Sequence, residues 1–202
     1  MFQLLGRMSS NNVQKVAWLL AELAIPYSQR DYGGTFGGNR TQDYLALNPH
    51  GTVPTMIGEG AVLWESNTIL RFIANKHPST LYPMDSEERG RIEQWMDWQL
   101  GTLSPAFRPL YVSLIREGKT IEESRDQHQA AARQFLLLEH FLGSQRYIAG
   151  DFLSLADIAI GPMLYRWFKL GLDQARMPKL ELLLARYASM PAFANAVFRE
   201  FA

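Results

Sequence analysis

Three short segments in the first half of the chain carry the side chains best suited to binding and catalysis. The first is Ser9-Ser10-Asn11-Asn12, which lies between an apolar run and a stretch with helical spacing. Hydroxyl and amide side chains at such a place cap free backbone N–H groups, and a helix N-terminus also favours negative charge. A thiolate that accepts a hydrogen bond from Ser10 would have its pKa lowered, because both interactions favour the charged form. Plain capping and thiolate stabilisation are therefore both open for this segment.

The second segment extends from Asn48 to Pro54 and ends where a β-prone run begins. Proline is tolerated at the start of a strand, and X-Pro bonds are the peptide bonds that can be cis. A cis bond between Val53 and Pro54 would leave the N–H and C=O of Val53 free to pair with a peptide-like ligand. A plain turn is the alternative interpretation.

The third segment is Glu65-Ser66-Asn67, where a predicted hairpin passes into a helix. Ser66 could serve as an N-cap only. Alternatively, its hydroxyl and the amides that follow could bind a ligand carboxylate while Glu65 faces an ammonium group. An α-amino acid group carries both charges on one carbon, so it would suit this pair of side chains.

Short alternating elements position these segments within the first 78 residues. The hydrophobic spacing and the turn residues predict strand 2–5, helix 12–23, strand 27–32, helix 42–47, strands 53–57 and 61–64, and helix 66–76. This order is βαβ, then α, then ββα. It favours a parallel strand pair joined by a right-handed crossover, to which a hairpin adds antiparallel strands.

The rest of the chain has an almost continuous helical pattern. Pro78 ends the preceding helix, because proline restricts the residue before it and has no N–H to donate. Residues 79–86 are predicted to be a linker, and a helical domain is predicted over 87–202. Its first long helices are expected at 87–116, with a bend near Pro105, and at 121–141.

One helix start in this second half has two independent signals. Ser154 and Asp157 have the spacing of a capping box, with the serine at the N-cap and the carboxylate three residues later. Leu153 and Ile158 occupy the positions of a hydrophobic staple. The sequence therefore predicts that a helix begins here.

The composition excludes several classes of function. Lys plus Arg and Asp plus Glu are both 20, and this zero net charge argues against nucleic acid as the main partner. The absence of cysteine excludes a disulfide scaffold, a thiolate zinc site and a protein-thiol mechanism. The four histidines lack metal-ligand spacing, so no metal is expected. No apolar run reaches about 18 residues and no secretory signal is present, so we expect a cytoplasmic protein without membrane contact.

The three segments together resemble the glutathione S-transferase family, and the resemblance covers essentially the whole chain. Its most specific part is Asn48-Pro49-x-Gly51-x-Val53-Pro54-Thr55 followed by Trp64-Glu65-Ser66-Asn67, which is similar to bacterial members of the family. The family implies an N-terminal thioredoxin-like α/β domain over 1–78 and an all-helical bundle domain over 87–202. It also implies a homodimer.

The resemblance further implies how glutathione is bound. Val53 would hold the cysteinyl backbone of glutathione through its own main chain, with Pro54 cis. Glu65 and Ser66 would bind the γ-glutamyl amine and carboxylate. His50 lies in the loop that often contacts the glycine end of glutathione, although a lone loop histidine can also be merely solvated.

The family resemblance also indicates which residue activates the thiol. Serine-type members use a hydroxyl just before the first helix to stabilise the glutathione thiolate, and Ser10 fits that position best, with Ser9 one residue away. Asn12 lies where some bacterial members direct an asparagine toward the same sulfur. Since the chain has no cysteine, the reactive sulfur must belong to glutathione. Lys15 and Arg40 are cations that could help to bind its glycine end.

The helical half would provide the pocket for a small hydrophobic electrophile. Its predicted walls are Phe107, Arg108, Tyr111 and Trp167, and core packing is the alternative role for these side chains. The implied activity is attack of the glutathione thiolate on an electrophile or a peroxide. A glutathione-dependent isomerase or dehalogenase is one alternative, and a non-catalytic interaction module of the same fold is another.

Overall fold

The computed structural model describes residues 1–172 and 176–199. The chain divides into two compact units, one formed by Met1–Ser79 together with the segment from Ala188, and one formed by Thr80–Tyr187. The helical domain was predicted over 87–202, whereas in the structure the segment from Ala188 groups with the N-terminal unit.

The first unit is built on a four-stranded mixed sheet. Its strands are β1 (Phe2–Leu5), β2 (Tyr27–Arg30), β3 (Thr55–Gly58) and β4 (Ala61–Trp64), in the order β2-β1-β3-β4. β1 pairs parallel to β2 and antiparallel to β3, which pairs antiparallel to β4. The helices are α1 (Asn11–Glu22), α2 (Gln42–Leu47) and α3 (Ser66–Lys76). The predicted βαβ-α-ββα order is confirmed.

A short helix from the far end of the sequence completes this unit. α9 (Pro191–Val197) packs against α1, where the rings of Trp18 and Phe193 meet edge to face with centroids 4.7 Å apart. The Nε2 of Gln14, which is buried, donates to the carbonyl oxygen of Val197 at 3.5 Å. These contacts explain why the segment from Ala188 belongs with the sheet.

The second unit is helical, as the sequence predicted. It contains α4 (Ser86–Trp98), α5 (Ser104–Tyr111), α6 (Arg125–Leu142), α7 (Leu155–Lys169) and α8 (Pro178–Ala188). π-helical stretches, Gln99–Leu103 and Val112–Arg116, precede and follow α5. α6 begins at Arg125 rather than at residue 121, because a turn over 121–124 comes first.

The start of α7 contains the predicted capping box. Asp157 is fully buried, and its carboxylate accepts hydrogen bonds from Ser154 N and Oγ at 2.9 and 2.8 Å, from Ile148 N at 3.0 Å and from the Tyr187 hydroxyl at 2.6 Å. Burial raises the pKa of Asp157, and these four bonds oppose that rise. The carboxylate thus joins the helix start to the preceding loop and to α8.

Within the described ranges 1–172 and 176–199, no helix has both the length and the apolar character needed to cross a bilayer.

Candidate active site

The sheet register brings the three chemically interesting segments together. Leu5 pairs with Thr55, and Thr55 pairs with Trp64, so these residues align at one end of β1, β3 and β4. The segment that leads to Ser10 leaves β1 at this end, Val53-Pro54 enters β3 there, and Glu65-Ser66 follows β4 there. Segments far apart in sequence therefore meet at one end of the sheet.

Gly6 allows two of these segments to approach closely. It has a φ of 148°, and a Cβ at this position would lie 2.6 Å from Val13 Cγ2 and 2.9 Å from Val53 Cβ. Both distances are too short for a side chain, so a glycine is required here. The end of β1 thereby lies directly against Val53 and the first turn of α1.

The Val53–Pro54 peptide bond is cis, as the resemblance implied. A buried polar network holds the loop in front of it. Asn48 Nδ2 donates to Thr52 O at 3.0 Å and to Thr55 Oγ1 at 3.1 Å, and the Tyr44 hydroxyl donates to Thr52 O at 2.6 Å. These bonds fix the main chain on both sides of Val53.

Ser10 is the N-cap of α1, but its hydroxyl makes no capping hydrogen bond. Its backbone is extended (φ −87°, ψ 126°), and its carbonyl oxygen accepts from Gln14 N at 2.9 Å. Ser9 and Ser10 are both half-buried, and Asn12 is exposed. The hydroxyl of Ser10 thus lies at the N-terminus of α1 without capping that helix.

Asn11 was passed over in the sequence reasoning, which selected Asn12. Its Oδ1 is buried and has no hydrogen-bond partner in the part of the chain that the structure describes. Buried polar atoms are normally paired, so this oxygen remains available to accept a hydrogen bond. An Asn-Asn pair gave no sequence signal that could separate the two residues.

Glu65 and Ser66 lie at the start of α3. Glu65 is the N-cap residue, is exposed, and has a φ of 69°, which is uncommon for a residue other than glycine. Ser66 is 5% exposed. A strained backbone of this kind costs roughly 1–3 kcal/mol and occurs most often at functional sites. Sequence reasoning identified both residues but could not foresee the strain.

Lys15 lies close to Ser66 and not at the loop of His50. Its Nζ is fully buried and donates to Ser66 Oγ at 3.5 Å and to Asn67 Oδ1 at 3.4 Å. Burial lowers the pKa of Lys15 to about 7, and the nearby charge of Glu65 acts in the opposite direction. The sequence contains a signal for the burial of Lys15, because this residue occurs among the apolar residues of α1.

The loop predicted for the glycine end of glutathione is exposed. The ring of His50 contacts that of Trp64, with centroids 4.8 Å apart. The backbone N–H of His50 donates to Asn48 Oδ1 at 3.1 Å. Arg40 donates to the His50 carbonyl oxygen at 3.2 Å. Of the two cations predicted for this loop, Lys15 and Arg40, it is Arg40 that contacts it.

The four predicted wall residues of the helical unit fall into different environments. Phe107 and Trp167 pack with Phe135 in the core, with ring centroids 5.8 Å (Phe107–Phe135) and 4.5 Å (Phe135–Trp167) apart, so core packing accounts for them. Tyr111 is also buried, and the guanidinium of Arg166 lies over its ring at 4.9 Å. Arg108 is exposed.

Comparison with known proteins agrees with this arrangement. The family model for the glutathione S-transferase N-terminal domain matches residues 2–75, and the model for the C-terminal domain matches residues 93–191. The chain belongs to the glutathione S-transferase family. The fold and the enzyme family that the sequence predicted are thereby confirmed.

Individual members of the glutathione S-transferase family resemble the chain over its full length. Glutathione S-transferase GstB of Escherichia coli is 37% identical over 206 residues, which cover 98% of each chain. A theta-class glutathione S-transferase of Xanthomonas axonopodis pv. citri, solved with glutathione bound, has a TM-score of 0.95 and is 32% identical, covering 100% of this chain and 99% of that one. A Pseudomonas fluorescens glutathione S-transferase has a TM-score of 0.85 at 28% identity.

The acidic and histidine side chains give no metal site in the described residues, 1–172 and 176–199, where no group of three or more could hold an ion.

Proposed function

We propose that this protein binds glutathione and activates its thiol for attack on an electrophile or a peroxide. The observation that carries the proposal is the convergence of Ser10, Val53 and Glu65-Ser66 at one end of the sheet. Val53 would pair with the cysteinyl backbone, and Glu65 and Ser66 would bind the γ-glutamyl amine and carboxylate. The relative from Xanthomonas was solved with glutathione bound, which supports glutathione as the ligand.

Activation of the thiol would require a donor at the sulfur. The Ser10 hydroxyl, which makes no capping bond, would donate to the thiolate at the positive end of α1. Both effects stabilise the charged form and lower the pKa of the bound thiol. Catalysis would come from holding an ionised nucleophile in place. Ser9 and Asn12 are the alternative donors, and the buried Oδ1 of Asn11 can only accept.

Replacing Ser10 with alanine is expected to raise the pKa of bound glutathione by about one to two units, since a hydrogen bond to a charged group contributes about 1.5–3 kcal/mol. Thiolate absorbance in the binary complex, titrated against pH, measures this value. Ser9→Ala is the matched control and should leave the pKa unchanged. An unchanged pKa in Ser10→Ala together with a raised one in Ser9→Ala would transfer the role to Ser9. Failure of the wild type to bind millimolar glutathione would reject the enzyme proposal.

We propose further that Arg108 and Tyr111 contact the electrophile and that His50 and Arg40 contact the glycine end of glutathione. A cytoplasmic location stays a prediction.

We also propose a homodimer that uses an apolar surface of the helical unit. A cavity of about 450 Å³ lies between α4 and α6, and Trp95, Trp98 and Phe141 are among its lining residues. Phe141 is 60% exposed although its ring contacts Trp95. An exposed apolar patch of this kind favours association.

Phe141→Asp is expected to convert the dimer to a monomer, because it places a charge in the apolar surface. Sedimentation velocity measures the change. Leu182→Asp is the control, since Leu182 is 62% exposed on α8 and outside this cavity. A Phe141→Asp protein that remains dimeric would exclude this surface as the interface.

A further inference from the structure

Lys15 is a buried charged residue for which the proposed mechanism has no role so far. It lies in the first half of α1, one turn beyond Asn11, and its ammonium group reaches the first turn of α3. A fully buried lysine is costly unless its charge is paired and hydrogen-bonded. Burial lowers its pKa to about 7, against the opposing effect of the Glu65 charge, so its charged and neutral forms are close in free energy near neutral pH.

We propose that Lys15 is a positioning residue that orients Ser66 and Asn67 to receive the γ-glutamyl carboxylate, and that it takes up a proton when glutathione binds. This inference rests on the proposed function, since it deepens the role of the same site.

The hydrogen bond from Lys15 determines which way the hydroxyl of Ser66 donates. A protonated lysine has three donors and no acceptor, whereas a serine hydroxyl has one donor and two acceptor lone pairs. Because Lys15 Nζ donates to Ser66 Oγ, the hydrogen of that hydroxyl must point elsewhere. Ser66 is 5% exposed, so its hydroxyl is held as a donor at the edge of the buried region. A carboxylate, which only accepts, fits such a donor.

The same lysine also fixes the amide of Asn67. Nζ donates to Asn67 Oδ1 at 3.4 Å, which assigns the oxygen to the lysine side and the amide nitrogen to the other side. Both distances from Nζ are at the long end for an N–H···O bond. Lys15 therefore determines how the donor and acceptor groups of Ser66 and Asn67 are oriented at the start of α3.

A bound carboxylate would also act on the charge of Lys15. A ligand carboxylate on Ser66 would be separated from Nζ by a single hydroxyl, so it would raise the pKa of Lys15 by favouring the charged form. Deprotonated Lys15, by contrast, has a lone pair that can accept a hydrogen bond from the Ser66 hydroxyl. The hydroxyl would then point toward Lys15 and away from the ligand. Binding and protonation of Lys15 are therefore coupled. The affinity is highest below the pKa of free Lys15 and falls as the pH rises above it.

Other charged groups lie on α1 and on the helices that pack against it. Glu65 at the start of α3 is the charge that acts on Lys15. Arg71 and Lys76 lie further along α3, and Arg199 follows α9, where its charge acts on Tyr27. Glu22, at the end of α1, accepts a hydrogen bond from Trp18.

The test uses S-methylglutathione, which has no thiol, so that ionisation of the sulfur cannot contribute protons. Isothermal titration in buffers of different ionisation enthalpy measures proton uptake between pH 6 and 9. The wild type is expected to take up a fraction of a proton at pH 7.5, and its affinity should fall about tenfold across this range beyond the ligand's own titration, which corresponds to about one pKa unit.

Lys15→Met keeps the aliphatic stem and removes the charge. It is expected to bind S-methylglutathione about tenfold more weakly at pH 6 and to show only the pH dependence of the ligand. Lys76→Met, which removes an exposed cation of α3, is the matched control and should behave as the wild type. Proton uptake by the wild type is also measured directly, so the test does not depend on the stability of the variant.

The outcomes separate the two proposals. If the wild type binds but takes up no proton, or if Lys15→Met shares its affinity and pH dependence, the role of Lys15 is overturned and glutathione binding stands. If the wild type does not bind S-methylglutathione or glutathione, the proposed function is overturned and the role of Lys15 with it.

Discussion

Replacing Glu65 with glutamine is expected to weaken glutathione binding by roughly ten- to a hundredfold, because a hydrogen bond to a charged group contributes about 1.5–3 kcal/mol. In the variant, the γ-glutamyl ammonium would lose the charged carboxylate with which it pairs. The backbone of Glu65 already has a φ of 69°, and glutamine would adopt it at the same cost. The free energy of unfolding should therefore change little, apart from the loss of the charge that acts on the buried Lys15. Titration calorimetry and urea unfolding measure the two quantities on the same protein.

The hairpin between β3 and β4 provides a matched control for this variant. Glu59 is also an exposed glutamate with a positive φ, 53°, so Glu59→Gln repeats the chemical change away from the proposed ligand. It should leave the affinity for glutathione unchanged. Equal loss of affinity in both variants would point to net charge as the cause, and no loss in either would remove Glu65 from the site.

Replacing Asp157 with alanine is expected to destabilise the protein by at least about 3 kcal/mol. The change leaves four donors unpaired, and a buried donor without a partner costs about 1–3 kcal/mol. The shift of the urea midpoint at constant slope measures the loss. Asp151→Ala is the control, since Asp151 is exposed and only six positions away in sequence. A change of less than about 1 kcal/mol, within the usual range for surface substitutions, would contradict the structural role of this carboxylate.

The sequence predicted elements whose signals are local. The hairpin was evident from two β-prone runs around Gly58-Glu59-Gly60, and the start of α7 from the spacing of Ser154 and Asp157. Each signal requires only a few adjacent residues. The boundaries of such elements were accordingly predicted to within a few residues.

Features that depend on distant contacts were not predictable in this way. Nothing near Lys15 in sequence indicates that its ammonium group reaches Ser66 and Asn67, since α3 is 51 and 52 positions away. The aromatic side chains of Phe107 and Trp167 illustrate the same limit, because residue type cannot distinguish a pocket wall from a core. Only the packing of Phe107 and Trp167 with Phe135 decides between these roles.

The packing of α9 on α1 has a consequence for how the chain folds. Gln14 and Val197, which are in contact, lie 183 positions apart, and the whole helical unit is inserted between them. Closing so long a loop costs only modestly more entropy than closing a shorter one, but contacts of high sequence separation slow folding. Since synthesis proceeds from the N-terminus, Trp18 can be covered by Phe193 only after the helical unit has been translated. The unit that contains the four-stranded sheet thus begins to be synthesised before the helical unit and is completed after it.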